Sequence, residues 1–268
     1  MIGLFDSGFG GLHVLRGITK RLPEYDYIYL GDSARAPYGS RSPEEVYTYT
    51  KQGVEFLFAH GAKLVVLACN TASSEALRKI QQGYQKEGSG RKVLGVLIPF
   101  AEAAAARTKN KRVGVMATEG TVRSGSFPRE ITKVDGGISV FQQACPLLVP
   151  LVEAGEQNSA LADELIRGYV APLLEKDIDT LVLGCTHYGI LEGKILAAVG
   201  GDIQIISEDD VVPESLAAYL KRHPELEERI GENGTVRSYC TGDTKAFNTL
   251  GTVFFEKAVD AEQVTLGA

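Results

Sequence analysis

No stretch of this 268-residue chain approaches the roughly 18 consecutive apolar residues that a helix needs to cross a bilayer. No membrane association is expected. Positive charge is also short. Lys and Arg number 28 against 34 Asp and Glu, a net charge of −6, whereas affinity for nucleic acid is built by neutralising phosphates with a basic face. Nucleic acid is therefore not an expected partner. Cysteine is scarce: Cys69, Cys145, Cys185 and Cys240 are the only four, and they lack the close pairing of a structural zinc site. No metal is expected. The Cys-x-x-Cys spacing of a thiol redox protein is missing as well. Met1 leads straight into the strand-like Ile2-Gly3-Leu4-Phe5, without a basic segment before it or a small-residue cleavage site after it. The expectation is a soluble cytoplasmic protein in a reducing compartment, where each thiol is judged alone.

Apolar residues make up 44% and charged residues 23% of the chain, ordinary globular values that supply a full core. The length suits two α/β domains. Short apolar runs near 2–6, 26–31, 63–68, 93–97, 112–117, 138–142, 180–184, 203–207 and 235–240 read as buried parallel strands between stretches of helical period. That alternation specifies an α/β fold with parallel sheets. The clearest helix signal is Ser42-Pro43-Glu44-Glu45, a capping box with proline at the first helical position, and it predicts a helix over 43–59 closed by Gly61.

The chain also echoes itself. Leu64-Val65-Val66-Leu67-Ala68-Cys69-Asn70-Thr71 is matched by Thr180-Leu181-Val182-Leu183-Gly184-Cys185-Thr186-His187. A weaker echo links Ile2-Gly3-Leu4-Phe5-Asp6-Ser7-Gly8 to Val113-Gly114-Val115-Met116-Ala117-Thr118-Glu119-Gly120, at a similar distance upstream of its cysteine. Two copies imply two similar parallel-sheet domains related by pseudo-symmetry rather than a solenoid. Residues 1–96 with 208–268 are expected to form the first, and 97–207 the second. The boundary is placed near 95–111, where Pro99 and an alanine-rich, then basic stretch follow a strand. Ligands of open parallel sheets bind beyond the carboxyl ends of the strands, so Asp6, Cys69 and Cys185 are expected in one cleft between the domains.

Cys69 and Cys185 each end a buried strand and precede residues that can open a helix, whose positive end favours a thiolate. Alone, such a cysteine is more often a packing residue, the reading kept for Cys145 and Cys240. As a matched pair they suit inversion of a carbon centre, with a thiolate removing a proton from one face and a thiol returning one to the other. Asp6 heads Asp6-Ser7-Gly8-Phe9-Gly10-Gly11, where His13 replaces the third glycine of a dinucleotide fingerprint and the carboxylate repels phosphate. It suits an α-ammonium, assistance to Cys69, or a helix cap. His187 is placed to exchange protons with Cys185 or to cap local backbone. Tyr38-Gly39 offers backbone to a carboxylate, or is simply a turn capped by Asp32 and Ser33. An amino-acid-binding protein without catalysis, a thiol redox protein and a pyridoxal enzyme are the competing classes; the first leaves the paired cysteines without a purpose.

Five motifs in order along nearly the whole chain, Gly3-Leu4-Phe5-Asp6-Ser7-Gly8-Phe9-Gly10-Gly11-Leu12, Tyr29-Leu30-Gly31-Asp32-Ser33-Ala34-Arg35-Ala36-Pro37-Tyr38-Gly39, Ala68-Cys69-Asn70-Thr71-Ala72, Val149-Pro150-Leu151-Val152-Glu153 and Leu183-Gly184-Cys185-Thr186-His187-Tyr188, resemble the glutamate racemases of the aspartate/glutamate racemase superfamily. The resemblance implies an active site between two α/β domains, no cofactor, glutamate as substrate, supply of D-glutamate for peptidoglycan, and a homodimer. It implies Cys69 as the base for D-glutamate and Cys185 for L-glutamate, assisted by Asp6 and His187, with Glu153 a further helper. Asp6, Ser7, Pro37, Tyr38, Gly39, Asn70, Thr71, Thr186 and His187 match substrate-contacting positions. Gly189 replaces the proline usual after the His-Tyr pair, Ser33 a threonine, and Ile206-Ser207-Glu208-Asp209 departs from Ile-Asp-Ser. An aspartate or broader-specificity racemase is the alternative within the class.

Overall fold

A computed structural model describes residues 1–267. Its strands are β1 (Ile2–Asp6), β2 (Tyr27–Gly31), β3 (Leu64–Leu67), β4 (Lys92–Gly95), β5 (Arg112–Ala117), β6 (Ser139–Ala144), β7 (Thr180–Gly184), β8 (Gln204–Ile206), β9 (Val236–Cys240) and β10 (Ala261–Gln263). All pairings are parallel. Strands β1, β3 and β7 are buried at every residue, which explains why they read as continuous apolar runs and not as alternating ones.

One sheet has six strands in the order β10-β9-β2-β1-β3-β4, and the other has four in the order β6-β5-β7-β8. Setting β5 on β1 and β7 on β3 makes β6-β5-β7-β8 the same arrangement as β2-β1-β3-β4. The two sequence echoes therefore mark equivalent strands. In each unit the strand order reverses between the first and third strands, at the crevice where a parallel sheet binds ligands. Cys69 follows β3 and Cys185 follows β7 at equivalent sites.

The capping box of the Pro43–Ala59 helix forms as the sequence predicts: Ser42 Oγ accepts from the Glu45 N–H at 3.3 Å and Glu45 Oε2 accepts from the Ser42 N–H at 3.0 Å. Two local expectations change. The stretch at the expected boundary near 95–111 holds the helix Leu97–Arg107, which buries Phe100, Ala101 and Ala104; alanine is the best helix former, and Pro99 sits in the first turn, where its missing N–H costs nothing. Cys185 opens not an α-helix but a 3-10 turn over Tyr188–Leu191, with the helix Glu192–Val199 behind it. Strand β10 escaped sequence reading because it is three residues long and two of them are exposed.

The chain returns to the first sheet through β9, which pairs with β2, and β10 pairs with β9. Asp26 fastens this return: its carboxylate accepts from Asn233 Nδ2 at 2.8 Å, the Thr235 N–H at 3.0 Å and Thr235 Oγ1 at 2.7 Å. Among the described residues no helix is long and apolar enough to cross a membrane.

Candidate active site

Cys69 is the N-cap of the helix Asn70–Glu75. Its sulfur accepts from the Ala72 N–H at 3.4 Å and its thiol reaches Ser7 Oγ at 3.6 Å. Burial pushes this thiol up to about 11, with the negative Asp6 adding to the effect and the Ala72 and Ser7 contacts opposing it. Desolvation thus outweighs the helix terminus that favours a thiolate. Cys185 is also raised well above the usual thiol range, first by burial, which the His187 N–H opposes, with smaller increments from Glu208, Cys69 and Asp6. A cationic ligand in this space would lower both.

Glu153, at the end of the helix Leu148–Glu153, meets His187 Nε2 at 3.1 Å, while His187 Nδ1 lies 3.9 Å from the Cys185 sulfur. With the Nε2 proton directed to the carboxylate, Nδ1 is left as an acceptor facing both the thiol and Thr186 Oγ1, the latter at 3.5 Å. The imidazole is wedged beside the rings of Phe9 and Phe254, at 5.7 and 5.4 Å. This supplies Cys185 with a fixed proton acceptor, a connection Cys69 lacks.

Both sulfurs line one cavity of about 20 Å3, room for about one water molecule. The first lobe contributes Ser7 and Gly8 after β1, Pro37, Tyr38 and Gly39 after β2, and Asn70 and Thr71 after Cys69. The second lobe contributes Glu153, Thr186 and His187. Asp6 is one layer back: fully buried, it accepts from the Gly8 N–H at 2.8 Å and from Thr186 Oγ1 at 3.4 Å. Burial raises its carboxyl, and the nearby His187 and the N–H groups of Gly8 and Gly11 only partly oppose that. It acts on Cys69 through space and not through a hydrogen bond.

Asp32 and Ser33 serve the loop itself. Asp32 accepts from the Tyr38 hydroxyl, from Arg35 Nε at 2.7 Å and from Thr241 Oγ1 at 2.7 Å, and Ser33 Oγ accepts from the Gly242 N–H at 3.1 Å. Four wall residues are not among the candidates read from the sequence: Gly8, Ala36, Thr118 and Val149. Thr118 carried a signal, since it stands in the echo where Ser7 stands in the original, and it meets Thr71 Oγ1 at 2.9 Å across the cleft. Glu208, in the sequence only a departure from Ile-Asp-Ser, has no contact with solvent: it is fully buried and accepts from Asn70 Nδ2 at 2.6 Å. Gly189 leaves space for the His13 ring, whose Nε2 lies 2.3 Å from where a Cβ at that position would be. Among the described residues no group of three or more His, Cys, Asp and Glu is arranged to hold a metal ion.

Residues 2–210 match the sequence profile of the Asp/Glu/Hydantoin racemases. The chain belongs to the Asp/Glu/Hydantoin racemase family. Within that family it is 41% identical over 268 residues to the glutamate racemase of Geobacter metallireducens, covering 100% of this chain and 97% of that one. The fold agrees with that of glutamate racemase isoform RacE1 from Bacillus anthracis at a TM-score of 0.91 and 34% identity, over 99% of this chain and 97% of the other. It also agrees with the glutamate racemase of Francisella tularensis in complex with D-glutamate, at a TM-score of 0.89 and 29% identity over 99% and 97% of the two chains. The two buried thiols at equivalent strand ends of the two lobes thus stand in a member of a racemase family.

Proposed function

We propose that this family member interconverts L- and D-glutamate without a cofactor, with Cys69 and Cys185 exchanging the roles of base and acid on opposite faces of the α-carbon. The observation that carries the proposal is that the two thiols come from equivalent strand ends of two like-ordered sheets and line a single cavity. In this reading residues 1–96 with 208–268 form the lobe that carries Cys69, and 97–207 the lobe that carries Cys185. Cys69 serves D-glutamate and Cys185 L-glutamate, the latter with His187 and Glu153 as its proton path. The substrate's α-ammonium offsets the burial that raises both thiols and Asp6. Ser7, Asn70, Thr71 and Thr186 supply hydrogen bonds, and the backbone at Pro37, Tyr38 and Gly39 faces a carboxylate. The product feeds peptidoglycan synthesis, and the working form is a homodimer, to be read from sedimentation.

The test is incubation of the pure protein with L-glutamate in deuterium oxide. D-Glutamate bearing solvent deuterium at the α-carbon is the expected product. Absence of deuterium from both enantiomers overturns the reading, and turnover of aspartate at a comparable rate in the same assay overturns the glutamate assignment.

A further inference from the structure

Glu208 begins the helix Glu208–Arg222 and has no exposed surface. A carboxylate in such a place needs a cation or a full set of donors. It has neither. Oε1 accepts from Asn70 Nδ2 at 2.6 Å, while Glu208 Oε2 and Asn70 Oδ1, the other oxygens of the same two side chains, are both buried without a partner. The cations on the neighbouring helices are engaged elsewhere: His13 and Arg16 with Asp209, and Arg107 with Asp210. The charged groups that act on Glu208 are Asp209 on its own helix and Asp6 at the end of β1, and Glu208 in turn acts on Cys185 after β7; none of these is a cation.

We infer that Glu208 is a positioning residue that works as an un-ionised carboxylic acid: Oε2–H donates to Asn70 Oδ1 while Oε1 accepts from Asn70 Nδ2. One proton then satisfies both unpartnered oxygens, each of which is otherwise a buried polar group left without a bond. The closed acid–amide pair fixes the side chain of Asn70, which follows Cys69 in the chain and forms part of the cavity wall. It also ties the first lobe to the segment that follows β8. Burial pushes the Glu208 carboxyl up to about 8, consistent with a proton held at neutral pH. The sign follows directly. Below that value the pair is intact; above it the proton leaves, Asn70 Oδ1 loses its donor, and a negative charge appears next to Cys185 and opposes its thiolate.

The effect on turnover rests on the proposed racemase reading, but the protonation state does not, so the two are tested separately. In the infrared difference between wild type and Glu208→Gln, the carbonyl band of an un-ionised carboxylic acid is expected at neutral pH, disappearing as the pH is raised past about 8. A carboxylate band alone at neutral pH overturns the inference, whether or not the protein turns over glutamate. In racemisation assays, Glu208→Gln keeps both bonds as an amide–amide pair and retains wild-type kcat/KM at neutral pH. It also loses the fall in kcat/KM that wild type shows above about 8. Glu208→Ala leaves Asn70 unpaired and loses roughly tenfold or more in kcat/KM. A Glu208→Gln variant as impaired as Glu208→Ala, or one that keeps the wild-type alkaline limb, overturns the positioning role.

Discussion

Replacing sulfur by oxygen at Cys69 or Cys185 keeps the size of the side chain nearly constant and removes its acidity. A serine hydroxyl in the same buried position is a far weaker acid than a thiol, so the group that must act as base in one direction no longer forms its anion. Either Cys69→Ser or Cys185→Ser is expected to lower racemisation by about 10²–10⁴-fold, the usual worth of a positioned acid or base. Because both directions need both groups, each variant fails from L- and from D-glutamate alike, read by chiral chromatography. Full activity in either variant contradicts the two-thiol mechanism. These two residues were legible in the sequence because they stand in a repeated phrase. Thr118 was legible in the same way and was overlooked because its half of the weaker echo lacks the aspartate. Glu208 was not legible, since a carboxylate in a Ser-Glu-Asp-Asp run reads as exposed, and only the packing of distant segments buries it.

At the scale of elements, Asp26 shows how one side chain holds the chain's return to the first sheet. Its three accepted hydrogen bonds join the start of β2 to the approach to β9, and those from Thr235 and Asn233 hold its carboxyl down at about 2. Asp26→Asn exchanges one acceptor oxygen for a donor that faces other donors. It is expected to cost about 1–3 kcal/mol in urea unfolding. A carboxyl lowered in the folded state contributes stability that is complete above its ordinary value of 3.8 and is lost as the pH falls through about 2. The wild-type protein should therefore lose stability in that window more steeply than Asp26→Asn, and parallel acid profiles would contradict the assignment. Ser42→Ala provides a local comparison, with an expected loss of about 1 kcal/mol for the broken capping box. Elements with a local chemical start signal, such as Pro43–Ala59, were readable to the residue. The helix Leu97–Arg107 carries no such start signal, its proline and alanines showing their role only once Phe100, Ala101 and Ala104 are seen buried, and β10 takes its existence from an edge of β9 that the sequence does not display.

The order of strands in the whole molecule was foreshadowed by the echoes, but how far the lobes close on each other was not, because it depends on contacts between segments far apart in sequence. A cavity of about 20 Å3 is smaller than an amino acid, so substrate entry is expected to part the lobes, which then meet again for chemistry. Gly10 lies where the two lobes touch. A Cβ on it would lie 2.4 Å from Thr186 Oγ1 and 2.7 Å from His187 Nδ1. His187 has little freedom to withdraw, being hydrogen-bonded to Glu153 and packed between Phe9 and Phe254. Gly10 already has the ordinary right-handed helical backbone, φ −57° and ψ −36°, so alanine brings no backbone strain and acts through the contact alone. Gly10→Ala is expected to hold the lobes apart and slow racemisation by up to about 10²-fold, the cost of displacing reacting groups by an ångström. The same change should speed alkylation of Cys69 and Cys185 by iodoacetamide, followed by mass spectrometry, while Cys145 and Cys240, which lie outside the cavity, react as before. Slower racemisation with unchanged alkylation would mean that Gly10→Ala disturbs His187 without opening the cleft, and unchanged racemisation would mean that the lobes do not need this contact to work.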